Sequence, residues 1–246
     1  MIKTLLLAFS FLTTIPVRIK DPIQPGDLGK SAAWFPLIGI LIGFITAGTN
    51  YILSLVFSTW ISAALTVLVW TGLTGGLHLD GLADCCDGLF VQASRERRLE
   101  ILKDSRLGSF GAIGLTLFLI LKVAAIASLS QPWSLVPFIL AGCISRWLIL
   151  PAARFPSARE DGLGRIFATG LNLYTYLIGI FFPVLLSVLS GLPGIFALGF
   201  AHMVTCVILV FARSRIGGVT GDVFGLIVEV GELIVLLTFS SILQAF

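Results

Sequence analysis

Apolar runs of about 20 residues recur along this chain, near 33–56, 59–77, 110–130, 133–153, 173–191, 194–212 and 226–245. The hydrocarbon core of a bilayer is ~30 Å thick, and ~20 residues of α-helix cross it. Hydrophobic residues make up 57% of the chain, above the ~45–50% of soluble domains. The expected fold class is all-α: a polytopic integral membrane helical bundle of about seven transmembrane helices, forming one domain over residues 1–246. The first apolar stretch, Thr4 to Val17, has 14 residues and as a helix would cover only ~21 Å. Lys3 ahead of it suggests a signal peptide, but Thr14-Ile15-Pro16-Val17-Arg18 shows no small-x-small cleavage pattern. A short, uncleaved N-terminal helix lying in the interface is expected.

The basic residues give the orientation. Segments 1–32, 78–108, 154–172 and 213–225 hold 14 of the 16 Lys and Arg, while the connections near 57–58, 131–132 and 192–193 hold none. If the four segments share one side, the positive-inside rule makes that side cytoplasmic, and the chain a multi-pass protein of the cell (inner) membrane. The same segments hold 11 of the 13 acids. Polar chemistry concentrated on one face suits an enzyme at the cytoplasmic interface. A transporter needs polar groups along a path through the middle, for which only Lys122, Arg146 and Glu232 speak. Arg95-Glu96-Arg97-Arg98 reads as a solvated or headgroup-facing helix, and no nucleic-acid partner is indicated. With four cysteines and no CxxC pair, neither a disulfide framework nor a zinc site is expected.

Only 12% of the chain is charged, so its polar islands stand out. The first is Gly75-Gly76-Leu77-His78-Leu79-Asp80-Gly81-Leu82-Ala83-Asp84-Cys85-Cys86-Asp87-Gly88. Asp80, Asp84 and Asp87 are spaced to share one helical face. Like charges so placed repel unless a cation lies between them, and a hard divalent metal with oxygen ligands is the simplest such cation. Surface acids balanced by arginines are the ordinary alternative. His78 could serve as a base, a phosphate ligand or an interfacial hydrogen-bonder.

The second island, Lys103-Asp104-Ser105-Arg106-Leu107-Gly108, adds a carboxylate for metal and two cations for anionic oxygens. The third, Arg159 to Arg165, reads mostly as a plain glycine-containing loop. Arg146 lies inside an apolar run and needs a partner, either a phosphate or an acid. The fourth, Gly217 to Gly225 with Glu229 and Glu232, puts Asp222, Glu229 and Glu232 where they face a polar interior or pair with Arg146 or Lys122. There is no GxSxG, P-loop or HExxH motif. Metal, cations and no evident nucleophile fit phosphoryl transfer by positioning and charge neutralisation. An Asp or His78 would take the proton of an acceptor hydroxyl.

The chain resembles the cobalamin synthase family, the adenosylcobinamide-GDP ribazoletransferases. The resemblance rests on Phe11 to Val17, Phe35 to Gly39, the highly specific Gly75 to Gly88, Lys103 to Gly111, Ser145-Arg146, Glu160 to Gly164 and Gly218 to Glu232. It implies transfer of the corrinoid phosphoryl group of adenosylcobinamide-GDP to the hydroxyl of α-ribazole or its 5′-phosphate. GMP is released and adenosylcobalamin or its 5′-phosphate formed. It also implies magnesium as cofactor and the corrinoid as substrate, so His78 need not ligate cobalt. On this basis Asp80, Asp84, Asp87 and Asp104 are the expected metal ligands, with Asp84, Asp87 and His78 closest to the chemistry. Lys103, Arg106 and Arg146 would hold phosphate oxygens, and Asp222, Glu229 and Glu232 would complete the cavity. A homo-oligomer is compatible with the sequence. Asp84-Cys85-Cys86-Asp87-Gly88 also looks like the first half of the CDP-alcohol phosphotransferase signature. Ala-Arg does not follow at that family's spacing, so such an activity is the alternative.

Overall fold

The computed structural model describes residues 1–129, 135–160 and 162–242. The helices are α1 (Ile2–Leu12), α2 (Asp27–Ser31), α3 (Phe35–Ser54), α4 (Thr59–Thr74), α5 (Leu77–Phe90), α6 (Arg95–Ile101), α7 (Ser109–Ala127), α8 (Leu135–Trp147), α9 (Ile149–Ala152), α10 (Leu163–Gly170), α11 (Leu173–Leu189), α12 (Gly191–Ile216) and α13 (Gly221–Ile242). A 3-10 turn over Ala32–Trp34 joins α2 to α3. Among the described residues the β-structure is one isolated bridge between Ser157 and Val219.

Five helical segments are long and apolar enough to cross a membrane: 27–54, α7, the α8–α9 run, α12 and α13. Two bent pairs, α4 with α5 at 95° and α10 with α11 at 100°, bring the number to seven if each is one span. The span expected over 59–77 stops at Thr74, because Gly75 and Gly76 have φ of 65° and 69°. Glycine takes this left-handed geometry at little steric cost, and the two together turn the chain sharply into α5. The last span starts at Gly221 rather than 226, and the 194–212 run extends to Gly191–Ile216. The expected span ends at 130, 133 and 245 lie outside the described residues. At the N-terminus the helix closes at Leu12, where Thr13 turns extended. The Thr13 hydroxyl donates to the Phe9 carbonyl at 2.8 Å.

Small residues let the central helices meet backbone to backbone. A Cβ on Gly43 would lie 2.6 Å from the Ile139 Cα, and one on Gly39 3.0 Å from the Cys143 nitrogen. Helices in a membrane gain little from water exclusion, so close packing of this kind is a main source of their association. Helix α13 packs against α5, α7, α8 and α12, and Ile227, Val228, Val235 and Leu236 on it are fully buried.

The four charged segments meet at one end of the bundle. Thr14 N–H donates to the Leu73 carbonyl (2.8 Å), and across the bridge region Ala158 N–H donates to the Val219 carbonyl and Val219 N–H to the Pro156 carbonyl (both 2.9 Å). Of residues 95–98, expected on a solvated or headgroup-facing helix, Arg95, Glu96 and Arg97 are exposed, and Arg98 departs from the expectation. Arg95 Nε donates to the Ile216 carbonyl at 2.8 Å. Arg98 is buried and donates to the carbonyls of Leu89 (2.6 Å), Gly88 (3.2 Å) and Ala93 (3.1 Å). The Gly88 and Leu89 carbonyls lie in the last turn of α5, where no intrahelical donors are left for them. Arg97 alone remains in a surface pair, with Glu100 at 2.8 Å.

Candidate active site

Helix α5 lays its acids along the polar end of the bundle. It crosses the first turn of α13 through two glycines. A Cβ on Gly81 would lie 2.9 Å from the Asp222 carbonyl oxygen and 3.2 Å from the Gly225 Cα, and a Cβ on Gly225 would lie 3.0 Å from the His78 carbonyl oxygen. The crossing brings Asp80 and Asp222 onto the wall of one crevice of about 90 Å³, together with His78 and an aromatic side formed by Phe11, Phe167 and Phe224. Asp80 is exposed and Asp222 half-buried. His78 is 3% exposed, and its Nδ1 has no hydrogen-bond partner.

Asp84 lies one turn farther along α5, half-buried. The carboxylates of Asp80, Asp222 and Asp87 all act on it electrostatically, opposed by Arg159. Arg159 Nη2 stands 3.9 Å from Asp222 Oδ2 and donates to the Leu99 carbonyl at 3.2 Å. The Thr220 hydroxyl donates to Asp222 at 3.1 Å. Nothing in the local sequence marks Arg159, which reads there as part of a plain loop. Only the fold, through the Ser157–Val219 bridge, brings it to the acids.

Two expected metal ligands, Asp87 and Asp104, have protein partners instead. Asp87 spends both oxygens on the start of α7: Gly108 N–H donates to Oδ2 (2.7 Å) and Gly111 N–H to Oδ1 (2.8 Å). A carboxylate from another helix thus caps α7, whose first amides lack intrahelical acceptors. Asp104 holds its neighbour Arg106 by a fork, with Nη2 to Oδ2 at 2.6 Å and Nε to Oδ1 at 2.9 Å. That guanidinium holds the Asp104 carboxyl down at about 2. Asp104 and Arg106 therefore neutralise each other, and they line a hollow shared with Asp87 rather than the crevice of Asp80 and Asp222. Lys103 is exposed.

Arg146, Glu229 and Glu232 take the pairing alternative that the sequence leaves open, rather than the place on phosphate or on the cavity wall. They close with Lys122 into a buried ion network, and all four are 3% exposed or less. Lys122 Nζ donates to Glu229 at 2.7 Å and to Glu232, and Arg146 Nη1 donates to Glu232 and to the Ser145 hydroxyl at 2.9 Å. Lys122 also sits 4.7 Å from the Trp70 ring centroid. These two cations and two carboxylates are buried and paired and do not form an open polar path, while Arg146 Nε and Nη2 have no hydrogen-bond partner among the described residues. Of the fourth island's acids only Asp222 lines the crevice.

Among the described residues, no three of the His, Cys, Asp and Glu side chains enclose a metal by themselves. Magnesium is usually bound by one or two carboxylates together with substrate phosphates. Asp80, Asp84 and Asp222 are hard oxygen donors crowded by like charge, so their chemistry fits a divalent cation shared with a phosphorylated substrate.

Residues 4–240 match the family model described as cobalamin-5-phosphate synthase. Curated proteins named adenosylcobinamide-GDP ribazoletransferase are similar over nearly the full length. The one from Geotalea daltonii is 36% identical over 98% of both chains. That from Klebsiella pneumoniae is 37% identical over 96% of this chain and 99% of its own. That from Deinococcus radiodurans is 39% identical over 95% of this chain and 84% of its own. No solved structure matches. A sequence match that runs through α5, α10 and α13 and so contains the whole acidic crevice shows that this chain belongs to the cobalamin-5-phosphate synthase family.

Proposed function

We propose that this protein is a membrane phosphotransferase that joins adenosylcobinamide-GDP to α-ribazole or α-ribazole 5′-phosphate. Its products are GMP and adenosylcobalamin or the corresponding 5′-phosphate. The observation that carries this is the convergence of Asp80, Asp84 and Asp222 from two helices at one polar end of an apolar bundle. The matching relatives carry the same reaction in their names.

Bound magnesium, held by Asp84 with Asp222, would neutralise diphosphate oxygens and make the phosphorus more electrophilic. The protein's own groups do the rest. Asp80 is the exposed acid on the crevice wall and takes the proton of the acceptor hydroxyl as that oxygen attacks the phosphorus attached to the corrinoid side chain. The phosphorus–oxygen bond to GMP breaks in the same displacement. Arg159, beside Asp222, offsets negative charge at the rim. His78 lines the inner end of the crevice, where its free Nδ1 can receive a substrate donor. Asp87 positions α7 beneath Asp84. The basic segments joined at one end support, by the positive-inside rule, a site that faces the cytoplasm.

Purified protein in lipid vesicles, given both substrates and magnesium, should release GMP and the cobalamin product in equal amounts. Turnover of a CDP-alcohol with no cobalamin formed would replace this reading with the alternative.

A further inference from the structure

Beside the acidic crevice lies a larger basin of about 780 Å³, lined by Arg154, Ser157, Gly164, Arg165, Asn172 and Tyr176 among others. Its volume falls within the range of small-molecule sites, about 300–1,000 Å³. Helix α10 is the partition. Leu163 and Phe167, one turn apart on one face, line the crevice. Gly164, Arg165 and Ala168, on the adjoining face, line the basin. A ligand filling the basin therefore lies one helix away from Asp222.

The basin's chemistry is that of an anion site with an aromatic neighbour. Arg154 and Arg165 are exposed, and neither forms an ion pair with a described carboxylate. The Arg154 guanidinium stands 5.4 Å from the Tyr176 ring centroid, and the Tyr176 hydroxyl donates to the Leu150 carbonyl at 2.7 Å. That bond fixes the ring, and the ring in turn orients the guanidinium. The start of α11 faces the same space. Its cap residue Asn172 accepts from Thr175 N–H at 3.0 Å, and the amides of a helix N-terminus favour an anion. Guanidinium groups bind phosphate in a bidentate fork.

We infer that this basin holds the 5′-phosphate of an aromatic ribonucleoside, with Arg154 and Arg165 on the phosphate and Tyr176 beside the base or sugar. Two molecules of the proposed reaction have this chemistry: the phosphorylated acceptor and the GMP that leaves. The inference rests on the proposed transfer reaction.

Arg154→Gln, Arg165→Gln and the double variant should be compared with wild type in vesicles, using α-ribazole and α-ribazole 5′-phosphate as acceptors and GMP as inhibitor. The double variant should raise KM for the phosphorylated acceptor about tenfold or more, as expected for loss of charged phosphate contacts. KM for the unphosphorylated acceptor and kcat should stay within about twofold of wild type. If the GMP inhibition constant rises in place of that KM, the basin holds the leaving nucleotide and the inference stands with that source. Equal effects on both acceptors, no effect on any constant, or an effect seen only in vesicles containing anionic lipid would overturn it. If wild type turns over neither acceptor, the transfer reading fails separately. Calorimetric binding of α-ribazole 5′-phosphate and GMP to wild type and the double variant then decides the inference, with loss of binding in the variant supporting it and equal binding overturning it.

Discussion

Glu232 accepts from both Lys122 and Arg146 and has no exposure of its own. Removing one partner of a buried ion pair leaves an uncompensated charge and costs about 3–5 kcal/mol. Glu232→Gln should therefore lower the thermal midpoint in detergent by several degrees, and an unchanged midpoint would show that the network contributes no stability. These residues show how far single residues are legible. An acid or a cation inside an apolar run is conspicuous because it is rare there, so Lys122, Arg146, Glu229 and Glu232 all attract notice. Their pairing is not conspicuous, because Lys122 is 107 and 110 residues from its two partners. Asp87 is similar: its spacing from Asp84 is visible in the sequence, whereas its backbone donors on α7 are not.

Helix α5 shows what the spacing of residues does determine. The intervals between Asp80, Asp84 and Asp87 put them on one side of a helix, and α5 is a helix over that stretch. The sharp turn from α4 depends on Gly75 and Gly76, and the crossing with α13 depends on Gly81 and Gly225. Both are contacts or conformations that hydrophobic periodicity does not encode. Gly81→Val would press a branched side chain against the Asp222 backbone, where even a Cβ lies at 2.9 Å. Overpacking typically costs about 1–3 kcal/mol, and here the displaced group is a crevice acid. The variant should keep much of its stability and lose most of its activity. Wild-type kcat in a folded Gly81→Val protein would show that the crossing does not position Asp222.

At the scale of the molecule, the apolar runs already point to a polytopic helical bundle, because a helix of about 20 apolar residues satisfies its own backbone inside lipid. They do not show which pairs bend, and α4–α5 and α10–α11 carry the site on their bends. The positive-inside argument makes an orientation prediction. Cysteines placed at Arg106 and at Ser58 in a protein stripped of its native thiols should react with impermeant label from opposite sides, Arg106 from the cytoplasm. Labelling of both from one side would contradict the topology. The same fold collects acids, Arg159 and the basic basin at one end and leaves the buried ions closed, which is the layout of an interfacial enzyme rather than a conduit.

The central claim is that the Asp80, Asp84 and Asp222 cluster is where phosphoryl transfer occurs. Asp84→Asn is the most direct test, because among the described residues the Asp84 side chain has no hydrogen bond. Its turnover of adenosylcobinamide-GDP with α-ribazole or its 5′-phosphate should be measured in vesicles at saturating magnesium, beside a thermal midpoint. The account predicts a loss of about 10²–10³-fold or more in kcat, the scale of removing one electrostatic stabiliser, with a midpoint close to wild type. Wild-type turnover in the folded Asp84→Asn protein would contradict it.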